Sequence, residues 1–213
     1  MRHDPPSAPD WLALLAAAAT AAIHFAVGTG RPGSFVFIAA ACLFWTVFIA
    51  VRARQNKNAL RAWGFRADNL APAAALSAAV FVLAATGFAV YAWRCGTFRW
   101  PSHWLLLFLV YPVWGVIQQF LMLGVVVGNL ERIEVLGRYK ALIVLPAAAL
   151  FGLLHVYDAR LVVATFLLEL VIIPLYLWQR NLWPLGALHG WLGALFYLWV
   201  LDRDLLSEAF WAA

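Results

Sequence analysis

The amino-acid sequence predicts an all-α protein, a polytopic transmembrane helix bundle of about seven spans, on three observations. Of its 213 residues, 65% are hydrophobic and 12% charged, and the mean hydropathy is +0.84; such a chain cannot present a water-facing surface on all sides. Apolar runs approaching the ~20 residues that a spanning helix needs recur along its whole length. Basic residues are confined mostly to the connections between those runs.

The runs follow in order. The first, 11–28, is long for the core of a signal peptide and carries His24 near its end, so an uncleaved first span is expected. The second, 35–51, contains Cys42. The connection 52–70 is the longest polar one; with Trp63 and Phe65 it is expected to hold a short interfacial helix anchored at headgroup depth. Runs 72–93, 103–128, 141–156, 161–178 and 182–201 complete the set. Together they consume most of the chain, so 1–213 is expected to be one integral membrane domain without a soluble part. Pro112, Pro146, Pro174 and Pro184 fall within or at the start of runs, where neighbouring helices can satisfy freed carbonyls. Trp11, Trp93, Trp100, Trp104, Trp178 and Trp183 sit near run ends and predict an aromatic belt. Cys42 and Cys95 have no metal-ligand spacing and are read as free thiols.

A net charge of +5 would suggest nucleic acid in a water-soluble chain, but here the cations orient the chain instead, and no nucleic acid is expected. Arg52, Arg54, Lys57, Arg61 and Arg66 crowd one connection, and Arg132, Arg138 and Lys140 another on the same side. The opposite side holds Arg31, Arg94, Arg99, Arg160 and Arg203. The denser side is expected to be cytoplasmic. By parity the N-terminus with Arg2 is then cytoplasmic, and Asp202, Arg203, Asp204 and Glu208 lie outside. The expected location is a bacterial inner (plasma) membrane.

Within lipid the informative residues are polar ones far from span ends, because each must be paired, hydrated or neutral. They are His24, Gln118, Gln119, His155, Glu169 and His189. At about 1.5 Å of rise per residue, Gln118, His155 and His189 fall at depths of roughly 10 to 20 Å on three different runs, so they can meet in the bilayer interior. His24 stands apart from any motif and is read as structural.

Three sequence patterns follow one another at these positions. Gln118-Gln119-Phe120-Leu121-Met122-Leu123-Gly124 aligns without gaps on a Glu-Glu-Leu-Leu-Phe-Arg-Gly pattern. Phe151-Gly152-Leu153-Leu154-His155 is a full Phe-x-x-x-His. Asn181-Leu182-Trp183-Pro184-Leu185-Gly186-Ala187-Leu188-His189 enters the third. In order and spacing they resemble the CPBP family, the CAAX prenyl protease and bacteriocin-processing family of intramembrane glutamic proteases, over a core of about 101–201. The departures are Gln118 and Gln119 for two glutamates, Leu123 for the arginine, and Gly193 for the asparagine four residues after the second histidine.

The resemblance implies a membrane-embedded endopeptidase site at Gln118, Gln119, His155 and His189, with no cofactor and no metal. In active members the first glutamate, helped by the first histidine, activates a water, and the later His and Asn stabilise the oxyanion. A glutamine in the first position can orient a water but cannot take its proton. Glu169 is the one carboxylate deep in a run, and the expectation is that it faces the cavity and serves as base with His155; a protonated Glu169 bonded to a neighbouring helix is the competing expectation. A zinc site from His155, His189 and Glu169 is less favoured because it would leave the first motif idle. The leading expectation is an endopeptidase-like protein acting on a membrane-proximal peptide, and the alternative is a pseudoprotease binding hydrophobic or lipidated peptides as scaffold or chaperone. The expected partners are the lipid bilayer and such a membrane-anchored or lipidated peptide. A small transporter is disfavoured by the lack of inverted repeats.

Overall fold

The computed structural model describes residues 10–27 and 32–204, and among these all regular elements are helical. Arg2, Arg31 and Glu208, which entered the charge reading, lie outside the described residues. Helix α1 spans Trp11–Val27, α2 Pro32–Gln55, the short α3 Ala59–Ala62, and α4 Leu70–Cys95. Helix α5, Trp104–Gln119, runs on as the π-helix Phe120–Val127 and α6, Gly128–Leu130. The small α7, Glu134–Arg138, leads to α8, Ala141–Leu153, then α9, Ala159–Gln179, and α10, Leu182–Leu195, which ends in the π-helix Phe196–Val200. Among the described residues, four helices are long and apolar enough to cross a membrane: Val36–Gln55, Leu70–Cys95, Trp104–Leu130 and Ala159–Gln179. The apolar α1 and α8 are shorter, at 17 and 13 residues.

Local chemistry sets the ends. The Asp158 carboxylate accepts from the Arg160 backbone N–H at 2.8 Å and caps α9. The Asn181 side chain accepts from Trp183 N–H at 3.3 Å and caps α10. Between them Arg180 takes a left-handed φ of 54°, which compresses the α9–α10 connection to two residues. Pro112, Pro146 and Pro174 lie inside α5, α8 and α9.

One end of the bundle gathers the 52–70 connection, the segment around Glu131 and the α9–α10 junction. Leu182 N–H donates to Gly64 O at 2.7 Å, and the Asn181 amide donates to Arg66 O at 3.1 Å and to Asn69 Oδ1 at 2.9 Å. The opposite end is closed by Thr97 Oγ1 donating to Trp199 O at 2.6 Å, by Arg99 paired with Asp202 at 3.1 Å, and by Tyr157 OH donating to Phe25 O at 2.9 Å.

Two expectations about aromatic residues need correction. Trp63 does not face lipid: it is 9% exposed, its carbonyl accepts from the Tyr176 hydroxyl at 3.2 Å, and its ring packs in the core against Phe120 at 5.2 Å. Trp104 is buried too, at 1% exposure, whereas Trp11, Trp93, Trp100, Trp178 and Trp183 are exposed as an aromatic belt requires.

The contact that positions the site is between α5 and α10. A Cβ added at Gly115 would come within 2.5 Å of Gly186 O and 2.6 Å of Gly190 N, and one at Gly190 within 2.6 Å of the Pro112 Cα. The two backbones therefore touch, a close packing that only small residues permit between lipid-embedded helices.

Candidate functional site

A cavity of about 1150 Å³ opens among α1, α2, α4, α5, α9 and α10. Its walls are mostly apolar: Val80, Leu83 and Phe88 from α4, Leu106 and Val110 from α5, and Val163, Leu167 and Val171 from α9. Several of these, Leu83, Leu106, Val110 and Val163 among them, are exposed, so the cavity is open and rimmed by side chains suited to hydrocarbon.

Into this apolar space the α5–α10 contact carries a few polar groups. Gln118 stands one turn beyond Gly115, and His189 one residue before Gly190, so the backbone contact places both on the same wall. His155, just past the end of α8, lines the cavity with them. The Phe151 ring lies 5.1 Å from the His155 ring and 5.2 Å, edge-on, from that of His189. It is a shared apolar support for both imidazoles, which explains physically why Phe stands four residues before His155.

The protonation sites follow from the hydrogen bonds. His155 Nδ1 lies 2.9 Å from Phe151 O; a carbonyl only accepts, so in the neutral imidazole Nδ1 carries the hydrogen and Nε2 keeps its lone pair. His189 is 5% exposed, and its Nδ1 is buried without a hydrogen-bond partner. Gln118 makes no hydrogen bond within the described protein and keeps both ends of its amide for a ligand.

Gln119 and Glu169 are placed elsewhere. Both are fully buried, the Gln119 amide donates through Nε2 to Glu169 Oε1, and neither is among the residues that line the cavity. The Gln119 amide oxygen Oε1 and the other carboxyl oxygen, Glu169 Oε2, are buried without a hydrogen-bond partner. Glu169 thus meets Gln119 rather than His155, the arrangement of the competing expectation, a carboxyl bonded to a neighbouring helix. No group of three His, Cys, Asp or Glu among the described residues is arranged to hold a metal ion, and with Glu169 turned to Gln119 the zinc set of His155, His189 and Glu169 is not assembled. Leu123, at the arginine position, is fully buried in the main core.

Further cavity residues lie outside the sequence motifs, His24 among them although the sequence reads it as structural. His24 lines the same space as His155 and His189, and its ring lies 6.2 Å, edge-on, from that of Tyr157 in the α8–α9 turn. Tyr111 lines the cavity without any hydrogen bond from its hydroxyl among the described residues, and its ring fills the room beside Gly193: a Cβ there would lie 3.3 Å from Tyr111 Cε1. Tyr157, Thr165, Tyr197, Arg160 and Arg203 add further polar groups to the lining. The sequence marks His24 only as a polar residue within an apolar run, and neither it nor Tyr111 lies in a motif; packing brings both to the cavity.

The fold and site define a polytopic helical membrane protein with an amphipathic intramembrane cavity carrying two motif histidines and a motif glutamine. Residues 98–195 match the family model described as type II CAAX prenyl endopeptidase Rce1-like. The chain therefore carries a CAAX-protease-like region where its three motifs lie, as the CPBP resemblance implied. No curated protein and no solved structure matches the chain.

Proposed function

We propose that this protein is a CAAX-protease-like intramembrane receptor that takes the end of a membrane-anchored or lipidated peptide into its cavity and holds it without glutamate-driven hydrolysis. The observation that carries this reading is the cavity's lining: His155, His189, Gln118 and Tyr111 on walls that are mostly apolar, with Arg160 and Arg203 as its cationic residues and no carboxylate among the described lining residues. Hydrogen-bond donors and acceptors at fixed depth recognise a peptide backbone, and the apolar walls accept a hydrophobic or lipidated side chain. The proton acceptor that the family's chemistry uses is replaced by an amide at Gln118.

In the same proposal the chain crosses the membrane about seven times, with α1, α8 and α10 as the shorter crossings, its N-terminus on the side of the 52–70 connection, and a bacterial inner membrane as its location. The clustering of cations at that end supports the orientation.

A second reading, hydrolysis as an endopeptidase, is favoured by one observation: the Phe151 carbonyl fixes His155 in the tautomer whose Nε2 can accept a proton. The test is direct. Purified protein in nanodiscs is incubated with photocrosslinkable lipidated and unlipidated membrane-proximal peptides, and both capture and cleavage are followed, with His155→Ala as control. Capture without cleavage supports the receptor, and cleavage that vanishes in His155→Ala establishes the endopeptidase. Absence of capture of every peptide overturns both.

A further inference from the structure

The end of the bundle opposite the Arg99–Asp202 pair carries a second, smaller cavity that the peptide site leaves unused. It has a volume of about 390 Å³ and is lined by Asn58, Arg61, Ala62, Arg66 and Arg180. Three guanidinium groups thus converge on one open pocket with no carboxylate in its lining.

The pocket is built on rigid supports. Gly64 takes a φ of 87°, and a Cβ there would meet Tyr176 at 2.9 Å and Arg180 O at 3.2 Å, so the loop bearing Arg61 and Arg66 is clamped against the residue that supplies the third guanidinium. The bonds from Leu182 to Gly64, from Asn181 to Arg66 and from Tyr176 to Trp63 hold the two segments in register. Arg180 is further fixed over the Tyr176 ring, 5.2 Å from its centroid.

The charges do not cancel within this region. Arg61 and Arg66 share a single carboxylate, Asp68, at 2.9 and 2.6 Å. Arg180 shares Glu131 with Lys140. Four cations therefore face two anions, and each arginine keeps N–H groups not spent on a carboxylate. Beside the pocket's arginines in sequence, Phe65 packs 5.0 Å from the ring of exposed Trp183, the kind of aromatic residue enriched at the membrane–water interface.

We infer that this pocket binds the phosphate of an anionic phospholipid headgroup, gripped by Arg61, Arg66 and Arg180. A phosphodiester offers the acceptor oxygens that converging guanidiniums match, and a fixed fork loses little freedom on binding. The lipid's acyl chains would remain in the bilayer beside α9 and α10, which adds an anchoring energy that a free phosphate lacks.

The experiment is retention of lipid by the full chain. Protein reconstituted with equal phosphatidylglycerol and phosphatidylcholine is washed in detergent, and the retained lipids are counted by mass spectrometry. Wild type should retain phosphatidylglycerol preferentially, and Arg61→Gln with Arg66→Gln should lower that preference by about fivefold per arginine, given the usual worth of one interfacial cation. Arg54→Gln with Lys57→Gln, which removes cations of the same connection outside the pocket, should leave most of the preference. Equal losses in the two double variants would mean diffuse surface charge and overturn the site, as would no preference in wild type. Displacement of the retained lipid by inorganic phosphate at equal concentration would overturn the lipid assignment in favour of free phosphate.

Discussion

Gln119 on α5 donates through its amide to the Glu169 carboxyl on α9, and the pair is sealed away from the cavity that Gln118, one residue earlier, helps to line. Neighbouring residues of one motif are thus divided between two environments: position 118 meets the ligand space, and position 119 serves the joint between helices. The buried pair contains one ionisable group and no cation, so its worth is that of a hydrogen bond between lipid-embedded helices, about 1 kcal/mol.

The first prediction follows from that division. Glu169→Gln keeps a hydrogen-bonding partner for Gln119 and should leave peptide capture within about twofold of wild type. Glu169→Ala strands the Gln119 amide and should lower unfolding stability in detergent by about 1 to 3 kcal/mol. Loss of capture or cleavage in Glu169→Gln, at unchanged stability, would place the carboxyl in the functional site instead.

The α5–α10 backbone contact should be intolerant of side-chain volume. Gly115→Ala puts a methyl group where Gly186 O would be 2.5 Å away, and moving the helices apart should cost about 1 to 3 kcal/mol. The same displacement separates Gln118 from His189, so peptide capture should fall further than stability alone explains. Paired thermal-unfolding and crosslinking measurements check this; unchanged capture would show that the two residues act independently.

At Gly193 the neighbour is the ring of Tyr111, not backbone. Gly193→Asn should therefore be poorly accommodated alone and improved by Tyr111→Ala, a non-additive pair in a double-mutant cycle. If the Tyr111 hydroxyl binds the peptide backbone, Tyr111→Phe should reduce capture by about three- to tenfold while leaving unfolding stability unchanged. Strict additivity of the Gly193 and Tyr111 changes would argue against their contact.

The α8–α9 turn gives a dependence on pH. Hydrogen bonding from the Arg160 guanidinium holds the Asp158 carboxyl below its ordinary value of 3.8. A carboxyl lowered by folding contributes stability that is fully present above its ordinary range and is lost as pH falls through the lowered value. Asp158→Asn retains a capping oxygen but not the charge. Its deficit relative to wild type should be present at pH 7 and shrink as the pH is taken below about 4. A deficit independent of pH would assign Asp158 to capping alone.

The membrane character, the helical content and the positions of the main helices were legible in the sequence because hydropathy and run length are local properties, and lipid leaves the backbone little alternative to helix. The three motifs fixed Gln118, His155 and His189 as cavity residues for a related reason: their spacing along a 1.5 Å rise sets depth before any packing is known. Depth, however, is only one coordinate. Which way a side chain turns about its helix depends on the neighbour it meets, and for Glu169 that neighbour is Gln119, 50 residues away in sequence. Likewise Trp63 is expected to face lipid from its place in a polar connection, and its burial depends on ring contacts with Phe48 and Phe120 and on the Tyr176 hydrogen bond to its carbonyl. His24 and Tyr111 entered the cavity through contacts among α1, α5, α8 and α10 that no periodicity records. The sequence by itself determined that the chain is solvated by lipid, that it is helical, and that its second half resembles a CAAX-protease-like region. Tertiary packing alone decided which polar groups share a cavity, because azimuth and partner are set by close contact between helices distant in the chain.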